Sequence, residues 1–514
     1  MKPEGIKSYE YEPLRPPSNK GGDDGGYSTL RPLGREKAAS EPSRSPAEPV
    51  PSPAPAQNAV PPVQPVPAKP PASKKKAKRE QKDIELLKSD RWLVRNGHLM
   101  TYIGLFLFSF MVLFRPYEMV PQLGFLGSTT IYFAIATLGI YIPSQIATEG
   151  NLTMLSTEVK AILAMTIIGA LTIPIARDPA MASAVFNDTY IKAVGMFIVM
   201  INVVRTRRRL MALMWLSFGI GIYLSVDTIR LYISGDFAYE GYRVGITDTQ
   251  GMFGNPNEMA LHLVMMTPIV ISLCLASKSI FSRIVYLSSA ILFVAANVIT
   301  FSRGGFLGLL ASSMVLAWKL GRKNRMKVSL ASLAIGFLVI VAAPGNYGLR
   351  LLSIFIPSLD PVGSADARRE GLITSIIVTI RNPWGIGIGN SPVFGAHNLQ
   401  THNAFTQVSA ELGVLGLAAY LVFIISPFRK LGAIERELYG NGRYGWFYLL
   451  SIGLQASIIG YMVSSFFASV AYNWFIYYLI AYAVAFRRVY ALENKSDEEG
   501  RGHLPTNLQM ANAR

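Results

Sequence analysis

This chain has little of what builds disulfide frameworks and metal centres. Its 514 residues hold a single cysteine, Cys274, inside an apolar run. That excludes an intramolecular disulfide and a cysteine metal cluster. Histidine is nearly as scarce: His98, His262, His397, His402 and His503. His397 and His402 are five residues apart, not at the i, i+4 spacing of a helical zinc site. The acids near them in the same class of loop, Asp236, Glu240, Asp248, Asp360, Asp366 and Glu370, form no Asp-X-Asp pair. We therefore expect metal-independent chemistry with no cofactor. Charge is scarce too, at 16% of residues against about 25% in soluble domains.

What is abundant is hydrocarbon: 51% of residues are hydrophobic. Apolar runs of about 17–22 residues, long enough to cross a bilayer, recur from Leu99 onward. We read an all-α polytopic membrane protein with about twelve transmembrane helices, at roughly 98–114, 124–144, 159–176, 190–204, 210–230, 257–277, 284–301, 304–320, 327–343, 404–427, 446–467 and 470–487. With the first apolar run starting only near Leu99, we expect an uncleaved anchor there.

The net charge of +17 suggests nucleic acid until the charges are located. Arg205–Arg209, Lys278–Arg283, Lys319–Lys327, Arg429-Lys430 and Arg487-Arg488 all fall on one side of the alternating spans. The positive-inside rule makes that side cytoplasmic, with both termini on it, and no nucleic-acid partner is needed. Residues 1–90 form a separate disordered cytoplasmic tail, Pro-rich over 41–72 and basic at Lys74–Arg79. The basic cluster either holds anionic lipid or only sets topology. Residues 91–490 form the membrane domain and 491–514 a cytoplasmic C-terminal tail.

The other side carries two sizeable loops, 231–256 and 344–403. The second is long enough to need structure of its own. Within it, Leu372, Ile373, Ile376, Ile377 and Ile380 recur at helical spacing. A helix over 365–381 is predicted, capped by Ser364, ended by Asn382-Pro383, and lying on or dipping into the outer membrane surface.

Both loops contain arginine and no lysine: Arg243 in the first; Arg350, Arg368, Arg369 and Arg381 in the second. Cations on this side oppose the topological bias. An arginine fork grips phosphate bidentately, and several around one site suit a diphosphate. Headgroup contacts, or ion pairs with Asp360, Asp366 and Glu370, would also account for them. Arg303 stands in Ser302-Arg303-Gly304-Gly305, where the glycines would let the backbone approach a ligand. His402, at the mouth of a span beside Asn403, is a candidate general base. His397 either does the same or closes a loop. His262 lies within a span, facing a polar cavity or bonding a neighbouring helix. In Gly254-Asn255-Pro256-Asn257, Asn257 reads as a helix cap whose N-terminus favours an anion.

Three stretches, in this order on this topology, resemble the O-antigen ligase and O-antigen polymerase superfamily of bacterial membrane glycosyltransferases. They are Gly251-Met-Phe-Gly-Asn-Pro-Asn257; Thr300-Phe-Ser-Arg-Gly-Gly305; and Arg368 to Gly389 followed by Thr401-His-Asn403 and Glu411-Leu-Gly-Val-Leu-Gly416. The resemblance implies a GT-C-like fold in the bacterial inner membrane. It also implies a large periplasmic loop, a glycan donor on polyprenyl diphosphate, and metal-independent inverting transfer to a glycan or lipid acceptor. Carried over by residue, His402 and Arg303 would be catalytic, and Arg243, Arg368, Arg369, Asn403, Asn257 and His397 would bind substrate. Ligase, polymerase and protein-acceptor readings share these motifs; polymerase or exopolysaccharide assembly is slightly favoured. The rival class is a small-anion transporter, for which broken helices and midplane charges would be expected.

Overall fold

The computed structural model describes residues 92–502 except 120, 128, 238–242, 245–253, 323, 344–346, 354–355, 357–363 and 395–400. The tail expected over 1–90 lies outside these, as do residues 503–514. The architecture is all-helical, as expected. The long helices are α1 (Trp92–Phe114), α2 (Thr129–Glu149), α3 (Thr157–Thr172), α4 (Ile191–Val203), α5 (Arg207–Ser234), α6 (Pro256–Ala276) and α7 (Ile280–Ile299), followed by α8 (Arg303–Leu320), α9 (Arg325–Ala342), α10 (Ser364–Arg381), α11 (Ala404–Gly440), α12 (Trp446–Ser464) and α13 (Trp474–Gly502).

Ten helical segments among the described residues are long and apolar enough to cross a membrane. The other two stretches expected to span are helical but fall short of that measure. α3 has 16 residues, about 24 Å at 1.5 Å per residue, and α8 carries Arg303 and Lys319 at its ends. The span expected at 190–204 begins earlier, because helix runs from Pro179 through a π-helical turn into α4. α13 continues to Gly502, past the membrane boundary expected near 490. Helices are the natural solution here, since each satisfies its own backbone polar groups away from water.

α6, α12 and α13 are the most buried, while α9 keeps nearly all its side chains on the outside. Buried aromatics such as Tyr190, Phe197, Phe423, Tyr461 and Tyr477 fill the shared core.

At one end of the bundle, three carboxylates each bind two cations. Glu149 receives Arg205 and Arg488, the latter at 2.7 Å. Glu158 receives Lys430 at 3.0 Å and Arg487 at 2.7 Å. Glu435 receives Lys319 at 2.5 Å and Arg322. Four of the five basic loops read from the sequence as sharing one side thus meet acids on α2, α3 and α11. Pairing is what makes such half-buried charges tolerable.

At the opposite end, α6, α8 and α11 begin. Each has a polar cap: Asn255 accepts from Asn257 N at 2.8 Å, Ser302 from Gly305 N at 3.1 Å, and Asn403 from Phe405 N and Thr406 N at 2.9 and 3.1 Å. The cap of α6 is therefore Asn255, not Asn257. Pro256 takes the first helical position, where its missing N–H costs nothing, and this moves the cap two residues back. The helix expected over 365–381 is present as α10, and it stops at Asn382-Pro383.

Candidate active site

Three segments distant in sequence meet at this second end around a cavity of about 220 Å³. The start of α8 supplies Arg303, α10 supplies Arg368, Arg369 and Leu372, and the lead into α11 supplies Thr401, His402 and Asn403. Ser353, Phe466 and Phe467 complete the wall.

Arg303 is buried, 5% exposed, and its Nη1 donates to Ser353 Oγ at 2.8 Å. The turn that presents it contains Phe301 in a left-handed conformation (φ 52°), which a bulky residue adopts only under constraint. Two arginines supply that constraint. Arg243 Nε donates to Thr300 O at 3.3 Å, and Arg350 Nε to Phe301 O at 2.9 Å. Arg243 Nη2 also donates to Asn257 Oδ1 at 2.9 Å, the same oxygen that accepts from Ser302 Oγ at 2.9 Å. Arg243 and Asn257 thus brace the turn from behind and are not part of the cavity wall. The glycines beside Arg303 serve packing more than ligand approach. A Cβ on Gly304 would stand 2.7 Å from Phe467 Cβ, and one on Gly305 would stand 2.6 Å from Ala260 Cβ.

His402 also has a left-handed backbone (φ 50°). Its neighbours hold it there: Thr401 Oγ1 donates to Asn403 O at 3.2 Å and lies 3.2 Å from Ser469 Oγ. Burial, and then the Arg368 guanidinium, push the His402 pKa below the usual imidazole value. The ring is therefore neutral near pH 7 and able to accept a proton. Asn403, which borders the cavity, spends its Oδ1 on the cap of α11, while its Nδ2, in a side chain 2% exposed, finds no partner among the described residues.

The frame behind the cavity is a glycine-rich loop locked onto a kink in α11. Gly413 breaks that helix with φ 72°. Around it, Ile386 N donates to Ala410 O (3.0 Å), Gly387 N to Glu411 O (3.1 Å) and Val414 N to Pro383 O (3.0 Å). The fully buried Glu411 carboxylate accepts from Gly389 N at 2.8 Å and Ser391 N at 3.1 Å. A Cβ on Gly385 or Gly413 would fall within 2.4 Å of backbone oxygen. Glu411 stands in the sequence only as the first residue of the Glu411–Gly416 stretch, with no role of its own. The available signal was its place directly before Leu412-Gly413, following alternate glycines at 385, 387 and 389.

His397 lies outside the described residues. His262 is in the bundle interior, its Nε2 3.1 Å from Ser217 O, so it bonds a neighbouring helix. Among the described residues, no three His, Cys, Asp or Glu side chains group to hold a metal ion.

Residues 288–421 match the family model described as O-Antigen ligase. The matched stretch runs from α7 into α11, so it covers Arg303, Arg368, Arg369, His402 and Asn403 but neither Arg243 nor Asn257. No curated protein matches the chain.

Proposed function

We propose that this multi-pass bacterial membrane protein, with its O-antigen ligase domain over residues 288–421, transfers a glycan from a polyprenyl-diphosphate carrier to an acceptor hydroxyl. The reaction takes place at the periplasmic face of the inner membrane. The observation that carries this reading is the convergence of a neutral, half-buried histidine and three arginines on one cavity. His402 takes the proton of the acceptor hydroxyl as that oxygen attacks the anomeric carbon. The bond from that carbon to the diphosphate oxygen breaks, and polyprenyl diphosphate leaves with the electron pair. Arg303, Arg368 and Arg369 meet the developing charge with forks suited to phosphate oxygens. Attack opposite the leaving group inverts the anomeric centre, and no metal is invoked. Asn403 Nδ2 donates to a substrate oxygen, while Arg243 and Asn257 hold Arg303 in place.

The positive-inside rule supports the orientation: the paired basic end faces the cytoplasm, with both termini, and the cavity faces the periplasm. Only a lipid-linked donor is to hand on that side. The acceptor is lipid A core for a ligase or a second lipid-linked repeat for a polymerase. A small-anion transporter is less well supported, because the site arginines stand at helix ends rather than at the midplane. The test is a gel profile of surface glycans from cells with wild type, His402→Ala or no copy. Loss of polymer in both altered strains is expected. An unchanged profile with His402→Ala expressed at the normal level refutes the proposal.

A further inference from the structure

α10 has two faces, one turned to α11 and the cavity and one outward, with Arg369 at the start of the outward one. Ser375 and Val378 are buried, and Thr379 Oγ1 lies 3.0 Å from Ser409 Oγ of α11. Arg368, Arg369 and Leu372 line the cavity. Ile373, Ile376, Ile377 and Ile380 are exposed, and Trp384 follows just beyond the helix, 71% exposed. At 3.6 residues per turn the isoleucine stripe lies next to Arg369 on the helix surface, so it starts where the cavity wall ends. α10 is not among the helices apolar enough to span a membrane, so crossing the bilayer does not account for the stripe. Phe466 and Phe467 give the cavity an apolar side as well, and Phe466 is partly exposed.

A cationic pocket continuous with an apolar strip is complementary to an amphiphile with an anionic head. We infer that the Ile373–Ile380 stripe of α10 seats the polyisoprenoid chain of the donor, with its diphosphate at Arg303, Arg368 and Arg369. This rests on the glycosyl-transfer reading above. From Ile373 to Ile380 the helix rises about 10 Å, which leaves room for the isoprene units nearest the diphosphate. Trp384, an amphipathic ring of the kind that favours membrane interfaces, closes the far end of the strip.

The test is steady-state transfer by the full chain in detergent, using one glycan on a long and on a farnesyl-length isoprenyl diphosphate. Wild type is expected to show the lower KM with the long chain. In the Ile376→Ser, Ile380→Ser double variant that KM rises by about tenfold or more from lost apolar contact, while kinetics with the short donor stay unchanged. The same two changes at Ile284 and Leu287, exposed on α7, leave both donors unaffected. Should the double variant not fold, a photo-crosslinking residue at Ile380 must capture the long isoprenyl diphosphate and lose it to unlabelled competitor. If wild type transfers but the double variant keeps the wild-type chain-length ratio, the stripe contacts only bilayer or another protein, and the inference is overturned. If wild type transfers from neither donor, the glycosyl-transfer reading itself fails.

Discussion

Glu411 offers the sharpest test of how the site is held together. Its two carboxylate oxygens accept separately from Gly389 N and Ser391 N in a fully buried position. Glu411→Ala strands both donors. At about 1–3 kcal/mol for each buried unsatisfied group, the cost is roughly 2–6 kcal/mol. Glu411→Gln keeps one oxygen but turns an NH2 toward the second N–H, so its cost falls at about half that range. The loop held by Glu411 directly follows α10, which carries Arg368 and Arg369, and packs on the kink of α11, which His402 precedes. Loosening it should therefore reduce transfer as well as stability. The assay is thermal unfolding of the purified protein followed by intrinsic fluorescence, with limited proteolysis across 382–391 to detect local opening. The expected order of stability is wild type, then Gln, then Ala. An Ala variant as stable and protease-resistant as wild type would mean that the two backbone bonds contribute nothing, and the account of the loop would be wrong.

Two further outcomes follow from the cavity. Arg303→Lys exchanges a planar fork held by Ser353 for a single ammonium; transfer should fall by about 10²–10³-fold with normal expression, and near-wild-type turnover would remove Arg303 from the reaction. The pH profile gives an independent check. The His402 pKa lies below its ordinary value because of burial and Arg368, so activity should be lost, as pH falls, only below the usual imidazole range. Arg368→Ala removes a positive charge that disfavours protonation, so the acid limb should move to higher pH in residual activity; an unmoved limb would mean that the titrating group is not His402.

Several elements of this fold are legible without coordinates because they rest on local physics. Long apolar runs make membrane helices regardless of neighbours. The spacing of Leu372 to Ile380 makes an amphipathic helix that Pro383 must end, and α10 is that helix. Arginine without lysine in two loops marks the end of the bundle where the cavity lies. The cap of α6 was misread by two residues because Asn255 and Asn257 are equally good caps in isolation, and the position of Pro256 decided between them.

Local pattern along the chain suffices for a polytopic helical protein, its basic and arginine-bearing ends, and a short set of candidate residues. Hydropathy, charge and helix punctuation are properties of neighbouring residues along the chain. The packing of the helices set where those candidates stand. It brought Arg303, Arg368 and His402 to one cavity across about a hundred residues of chain, and withdrew Arg243 and Asn257 into a brace. It turned Gly304 and Gly305 from a ligand approach into a packing surface, and gave Glu411 two backbone donors from a loop some 20 residues earlier in the chain. These are long-range contacts, chosen by which helices pack together, and a one-dimensional pattern does not encode which partner a side chain will meet.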